Sequence, residues 1–240
     1  MATPPAFTPE ASATDACSRL ADLGWRQVGA GDWSWVFADP GDSQAARVTP
    51  FDPGYRMFAD ACLAEPDNRW LPNVSGVLPL TRDGYVVLME RLWPADEAAA
   101  SAFCAALGIP NETHAKPPTA GPQVSADEPE LVVLRSRIRD LLAAGKARYG
   151  RWAVSDIREG NVMADCAGNL KLVDPLGVGG WMIAEALRAG HTDDLLADFS
   201  RTQLTDFLSI PYFGPGREGL DERDELLGLV DRLESPPTAG

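Results

Sequence analysis

Between Val154 and Leu176 the residues Asp156, Asn161 and Asp174 stand around two short apolar runs, and their spacing constrains the fold more than any other feature of the chain. Val162-Met163-Ala164 and Leu170 to Val173 read as two short strands around a tight turn at Gly168-Asn169. Such a hairpin carries Asp156 and Asn161, on its entry side, to the same place as Asp174 at its exit. Asp and Asn are also common turn and cap residues, and the plain alternative for Asp174, ahead of Pro175, is a helix N-cap. An acidic residue that ends an apolar run otherwise needs a reason to sit beside buried hydrophobes.

Upstream, Val28 to Phe37 contains Gly29-Ala30-Gly31 and, three positions beyond Gly31, Ser34. Glycine in such a loop lets backbone amides approach a ligand that a Cβ would hold away; the bland reading is an ordinary hairpin turn. After the turn Pro40-Gly41-Asp42, Gln44 to Val48 reads as a strand carrying Arg47. From Pro53 to Ala64 the apolar residues Tyr55, Phe58, Ala59 and Cys62 have helical spacing. Leu71 to Val74 opens the next strand, and Tyr85 to Leu92 follows the turn Arg82-Asp83-Gly84 as another, with a plain core strand as its alternative.

Glycine loop, third-strand basic residue, helix, further strands, D-x-x-x-x-N and second Asp occur in one order over residues 28 to 176. In that order the chain resembles the protein-kinase-like superfamily, most closely the compact Ser/Thr protein kinases of bacteriophages and some bacterial effectors. The resemblance implies a bilobal α+β fold: a tail over residues 1–10, a β-rich N-lobe over 11–92 and a minimal helical C-lobe over 93–240, together one kinase-like domain. It also implies ATP and Mg²⁺ as cofactors, with transfer of the γ-phosphoryl group to a Ser or Thr of a protein partner.

On the same resemblance Asp156 positions the acceptor hydroxyl, Arg158 meets the transferring phosphate, and Asn161 and Asp174 hold the metal. Gly29, Gly31 and Ser34 lie over the phosphates and Arg47 takes the place of the third-strand lysine. Met89 stands as gatekeeper, and the backbone of Glu90, Arg91 and Leu92 bonds the adenine edge.

Three positions depart from the family pattern. Arg47 replaces Lys, Val154-Ser155 replaces the His-Arg before the catalytic Asp, and Asp174-Pro175-Leu176 replaces Asp-Phe-Gly. The chain has no Lys before Lys116, so an Arg must serve in the N-terminal half, with a longer planar fork than an ammonium. Only three of the 21 basic residues are Lys, so arginine usage runs through the whole chain. Asp60 and Glu65 are the candidate helix partners for Arg47, and each reads equally as a surface carboxylate. A surface pair with Glu159 is the bland reading of Arg158. Two other functions stay open: a small-molecule kinase of the aminoglycoside type, which the short C-terminal part disfavours, and a pseudokinase, which Arg47 favours and the trio Asp156, Asn161 and Asp174 opposes.

With 240 residues and 45% apolar content the chain can bury one or two modest cores. A net charge of −14 argues against nucleic acid or an anionic membrane as partner. Cys17, Cys62, Cys104 and Cys166 are scattered without a CxxC pair and the only histidines are His114 and His191, so reduced thiols are expected and a zinc site is not. No run has transmembrane length and the first 18 residues carry no Lys or Arg, which predicts a cytoplasmic protein of the producing or the host cell. Helices are expected near residues 11–23, 128–149 (with Leu131, Leu134, Ile138 and Leu141 as its core stripe), 181–189, 195–208 and 220–233. Residues 109–127 are expected as a loop between helices, and 211–216 as a simple turn.

Overall fold

The computed structural model describes residues 5–8, 10–65, 68–113, 125–214 and 219–233. In chain order the elements are α1 (Ala13–Asp22), β1 (Arg26–Ala30), β2 (Trp35–Ala38), β3 (Gln44–Thr49), α2 (Pro53–Ala64), β4 (Val74–Pro79), β5 (Tyr85–Glu90), β6 (Trp93–Pro94) and α3 (Glu97–Leu107). There follow α4 (Pro129–Tyr149), β7 (Ala153–Ser155), β8 (Val162–Ala164), β9 (Leu170–Leu172), β10 (Leu176–Val178), α5 (Gly180–Arg188), α6 (Thr192–Asp198), α7 (Arg201–Phe207) and α8 (Leu220–Arg232).

The first five strands form one antiparallel sheet in the order β1-β2-β3-β5-β4. Both faces of its centre are covered, so β3 and β5 are buried at nearly every position. Period-2 alternation sorts the side chains. Ala46, Val48, Val86 and Leu88 pack under α1 with Leu20 and Trp25. Ala45, Val87 and Met89 face α2, α3, α4 and the β8–β9 hairpin. This is the sheet-rich half of a bilobal α+β architecture, the layout that the kinase resemblance implies.

α2 starts where Asp52 caps it, accepting from the Tyr55 amide, with Pro53 in the first turn. Its Gly54 lies so close to β10 that a Cβ there would stand 2.6 Å from the Leu176 carbonyl oxygen. The second half of the molecule is helical, built on a cluster of Phe51, Tyr149, Trp152, Phe199, Phe207 and Phe213 with aliphatic side chains of α5 to α8. Tyr149 stacks on Phe199, and Trp152 and Phe51 meet the same ring edge-on.

The pair β8–β9 is the expected hairpin, with Gly168 at φ +83° in its turn. It is tied to the sheet half where Trp70 O accepts from the Leu172 amide. Short β7 and β10, which local periodicity does not announce, pair antiparallel on either side of it, Ser155 opposite Leu176. Because β10 begins at Leu176, Asp174 is not a helix N-cap.

Two expectations change. The helix over 195–208 is two helices, because buried Phe199 is extended and Ser200 starts α7 afresh in a capping box with Gln203. Residues 211–213 are a 3-10 turn that carries Phe213 into the core; residues 215 and 216 of the expected simple turn lie outside the described residues. Within the expected tail, Phe7 packs against the cluster under α1 and Pro5 is buried; residues 1–4 and 9 lie outside the description. So do residues 114–124 of the expected loop, His114 and Lys116 among them, and residues 234–240. No helix among the described residues is long and apolar enough to cross a membrane.

Candidate functional site

A cleft of about 650 Å³ opens between the sheet and the helical half. Every residue singled out in the sequence for nucleotide, metal or catalysis lines it: Gly29, Gly31, Ser34, Arg47 and Met89 to Leu92 from the sheet half, Asp156, Arg158, Asn161 and Asp174 from the other. Its volume falls in the range of ligand sites, roughly 300–1,000 Å³.

Asn161 is the knot of the far wall. Its amide nitrogen donates to the Asp156 carbonyl oxygen (2.7 Å), to Asp156 Oδ2 (2.9 Å) and to the Asp174 carbonyl oxygen (2.8 Å). The hairpin makes this possible, since the Val173 amide donates to Asn161 O and the Asp156 amide to Pro175 O. With Nδ2 committed, Asn161 Oδ1 is the atom left to meet a cation. Arg158 lies against Asp156, its Nε 3.2 and 3.3 Å from the two carboxylate oxygens. It does not pair with Glu159, whose carboxylate accepts from Ser101 Oγ.

Arg47 comes from the opposite wall. Nη1 donates to Asp174 Oδ2 (2.9 Å), Nη2 to Asp52 Oδ2 (3.1 Å), and the guanidinium lies 3.4 Å from the centre of the Tyr55 ring. The helix partner is therefore the N-cap residue Asp52. Asp60 pairs with Arg56 and Glu65 with Arg137 near the surface, so both expected candidates are surface carboxylates.

One guanidinium thus faces two carboxylates in a desolvated place. Burial pushes Asp52 up to about 7, with the nearby Asp174 charge adding to the rise and Arg47 opposing it. Asp174 is likewise raised, by burial first, against the pull of Arg47. Burial disfavours the charge on Arg47 as well, but the surrounding anions outweigh it and its pKa is raised.

The donor set, one carboxylate oxygen of Asp174 and the Asn161 carbonyl oxygen, is hard and anionic, and the local excess of negative charge suits Mg²⁺. That ion is commonly held by one or two carboxylates together with substrate phosphates. Among the described residues no group of three or more His, Cys, Asp or Glu side chains is placed to hold a metal ion.

The roof of the cleft is the turn between β1 and β2, closed by the Gly31 amide donating to Ser34 O, with Ser34 itself buried. Neither Gly29 nor Gly31 has positive φ, and a Cβ on either would meet nothing within 4 Å. The turn itself does not demand glycine there. The roof also rests on the helical half. The Tyr212 amide donates to Asp32 O (3.0 Å) and Trp33 packs on Phe207 with ring centres 5.5 Å apart, while on the sheet side Thr49 Oγ1 donates to Trp33 O. A Cβ on Gly180 would stand 2.9 Å from the Trp33 ring, so the start of α5 is shaped to receive it.

At the expected adenine edge the backbone is largely spent. The Glu90 amide donates to Asn73 O, the Arg91 amide to Ser43 O, and Leu92 O accepts from the Arg91 guanidinium. Of the three amides, Leu92 N–H alone has no hydrogen bond among the described residues. The expectation of a shared three-residue hinge therefore narrows to one donor.

Sequence reading missed Thr113, whose hydroxyl contacts Asp156, and the aromatic wall of Trp181, Phe207, Tyr212 and Phe213. For Phe207 a signal existed in its helical stripe. None existed for Thr113, which lies in a segment without periodicity.

No family model matches the chain, and no curated protein does. Among solved structures it is similar to the aminoglycoside phosphotransferase APH(3'')-Id from Streptomyces rimosus, at 15% identity and TM-score 0.33 over 90% of this chain and 96% of that one. It is similar to aminoglycoside phosphotransferase APH(4)-Ia at 11% identity and TM-score 0.34, over 93% and 99% of the two chains. A thermostable mutant of APH(4)-Ia in ternary complex with AMP-PNP and hygromycin B gives 13% identity and TM-score 0.31, over 89% and 95%. Likeness at these scores says nothing of this chain's reaction or substrate.

Proposed function

We propose that the chain is an ATP- and Mg²⁺-dependent phosphotransferase whose acceptor is a hydroxyl group of a small molecule. The observation that carries this is the knot at Asn161, which locks Asp156 and Asp174 together at the base of the cleft, opposite a buried arginine. Phosphoryl transfer asks a protein chiefly for positioning and charge stabilisation, and this arrangement supplies both.

Asp156 accepts a hydrogen bond from the acceptor hydroxyl, aligns its oxygen and takes its proton as the oxygen bonds to the γ-phosphorus and ADP leaves. Arg158, held beside Asp156, offsets the negative charge of the moving group. Arg47 holds Asp174 in place and brings a positive charge to the phosphate side. Asn161 Oδ1 and Asp174 would hold Mg²⁺, which supplies neutralisation of the phosphate charge.

The choice of a small acceptor over a protein side chain rests on the roof. With Asp32 and Trp33 fastened to Tyr212 and Phe207, the roof is bridged to the helical half along one side of the cleft, which leaves less room there for an extended peptide. A protein Ser or Thr acceptor, the expectation drawn from the family resemblance, fits beside that bridge less well. The test is ADP release from Mg-ATP over a panel of polyhydroxylated and aminated small molecules and generic proteins, with Asp156→Ala in parallel. Acceptor-dependent turnover with a small molecule, lost roughly 10²-fold or more in the variant, supports the reading. Turnover with proteins alone overturns the acceptor class, and wild-type turnover in Asp156→Ala overturns the mechanism.

A further inference from the structure

After α3 the chain turns at Gly108, φ +62°, and returns to the strand before Asp156. Glu112 fastens the returning segment: its amide donates to Ser155 O (2.9 Å), and its carboxylate accepts from the Ser155 amide (3.1 Å) and from Lys146 Nζ (2.7 Å). Burial disfavours the Glu112 carboxylate, but these bonds prevail and hold its pKa down. Asn111 Oδ1 accepts from the Thr113 amide at 2.7 Å and fixes the next turn. Thr113 Oγ1 lies 2.7 Å from the same Asn111 oxygen and 2.5 Å from Asp156 Oδ1. The second distance is in the range of a hydroxyl donating to a carboxylate.

A phosphoryl acceptor is a hydroxyl within hydrogen-bond reach of the group that takes its proton. Thr113 meets that condition from within the chain, on the cleft wall. We propose, resting on the phosphotransferase reading above, that Thr113 is a site the enzyme phosphorylates on itself, within one molecule.

In the step, Thr113 Oγ1 bonds to the γ-phosphorus of ATP and the bond from that phosphorus to the β–γ bridging oxygen breaks. The threonine proton passes to Asp156, and ADP leaves. Phosphothreonine and ADP account for all atoms, with no further reactant. Arg158 shares Asp156 Oδ1 with Thr113, so the new phosphate forms beside a guanidinium. An external acceptor must displace Thr113 to reach Asp156. Acceptor therefore protects Thr113, and phosphate on Thr113 excludes acceptor.

The experiment incubates the full chain with γ-labelled ATP and Mg²⁺ without acceptor and maps the labelled peptide. ADP release and the shift in melting temperature with Mg-ATP are read on the same samples. Label is expected on Thr113 at a rate per molecule independent of protein concentration, on the serine of Thr113→Ser, and reduced roughly 10²-fold or more in Asp156→Asn. Mg-ATP bound or hydrolysed without label on Thr113 overturns the inference and leaves the proposed function standing. Labelling that accelerates with protein concentration overturns the intramolecular step. Neither ADP release nor stabilisation by Mg-ATP removes the proposed function, and this inference with it.

Discussion

Arg47 shows how one residue type at one strand position sets the electrostatics of a site. As a fork it reaches Asp174 and Asp52 at once, which a point-charged ammonium would not do with the same geometry. Burial, with the Asp174 charge beside it and Arg47 opposing, pushes Asp52 up to about 7 in the folded chain, against an ordinary value of 3.8. Below about pH 4 its carboxyl is neutral in folded and unfolded chains alike. As pH rises from there to about 7 the unfolded chain ionises first, so the stability the neutral group contributes is lost across that window. Asp52→Asn stays neutral throughout, and without nucleotide its melting temperature should gain on wild type as pH climbs from about 4 to about 7. A flat or opposite difference would place the proton elsewhere. That Arg47 belonged to the site could be read from its strand position, but its partner could not. Asp52 precedes the helix, outside the periodic stretch where a helix partner is sought.

At the scale of elements, α2 matches its expected range of Pro53 to Ala64 because its signals are local: a cap, a proline and an apolar stripe. Its seating on β10 is not local. Gly54→Ala would drive a methyl to within 2.6 Å of the Leu176 carbonyl oxygen. It should cost about 1–3 kcal/mol in urea unfolding, and should weaken Mg-ATP binding as well, since α2 carries Asp52. Unchanged stability would mean that the two elements separate easily.

The turn between β4 and β5 has its own anchor. Arg82, at φ +57°, donates to Asp206 of α7 at 2.7 Å, and Asp206 Oδ2 is buried without a partner. Arg82→Ala leaves that carboxylate uncompensated and should destabilise by about 1–3 kcal/mol. Arg82→Gly should lose less, because the backbone there suits glycine. Equal losses would mean that backbone strain contributes nothing.

For the molecule as a whole, burial orders the thiols. Cys17, Cys62 and Cys104 are pushed up to about 12 by desolvation, while Cys166 is exposed in the hairpin turn. In native protein at about pH 8 a thiol reagent should modify Cys166 rapidly, the half-buried Cys17 and Cys104 slowly, and buried Cys62 only after unfolding. Early modification of Cys62 would show that the core between sheet and α4 opens.

The strands of the large sheet, the helices α1, α2, α4, α5 and α8, the hairpin at Gly168, and the membership of Asp156, Asn161 and Asp174 in one site were determined by the sequence itself, whereas α3, β7, β10 and the break between α6 and α7 were not. Alternation, helical spacing and tight-turn chemistry act over a few residues and are written in neighbouring letters. Tertiary structure alone decided which carboxylate holds Arg47, that Asp32 and Trp33 close the roof on Tyr212 and Phe207, that the amides of Glu90 and Arg91 are spent inside the fold, and that Thr113 reaches Asp156. Each of these joins parts of the chain with no local signal for one another. They follow from which polar groups are left to be satisfied once the apolar faces have packed, and that is fixed only when the whole chain has closed.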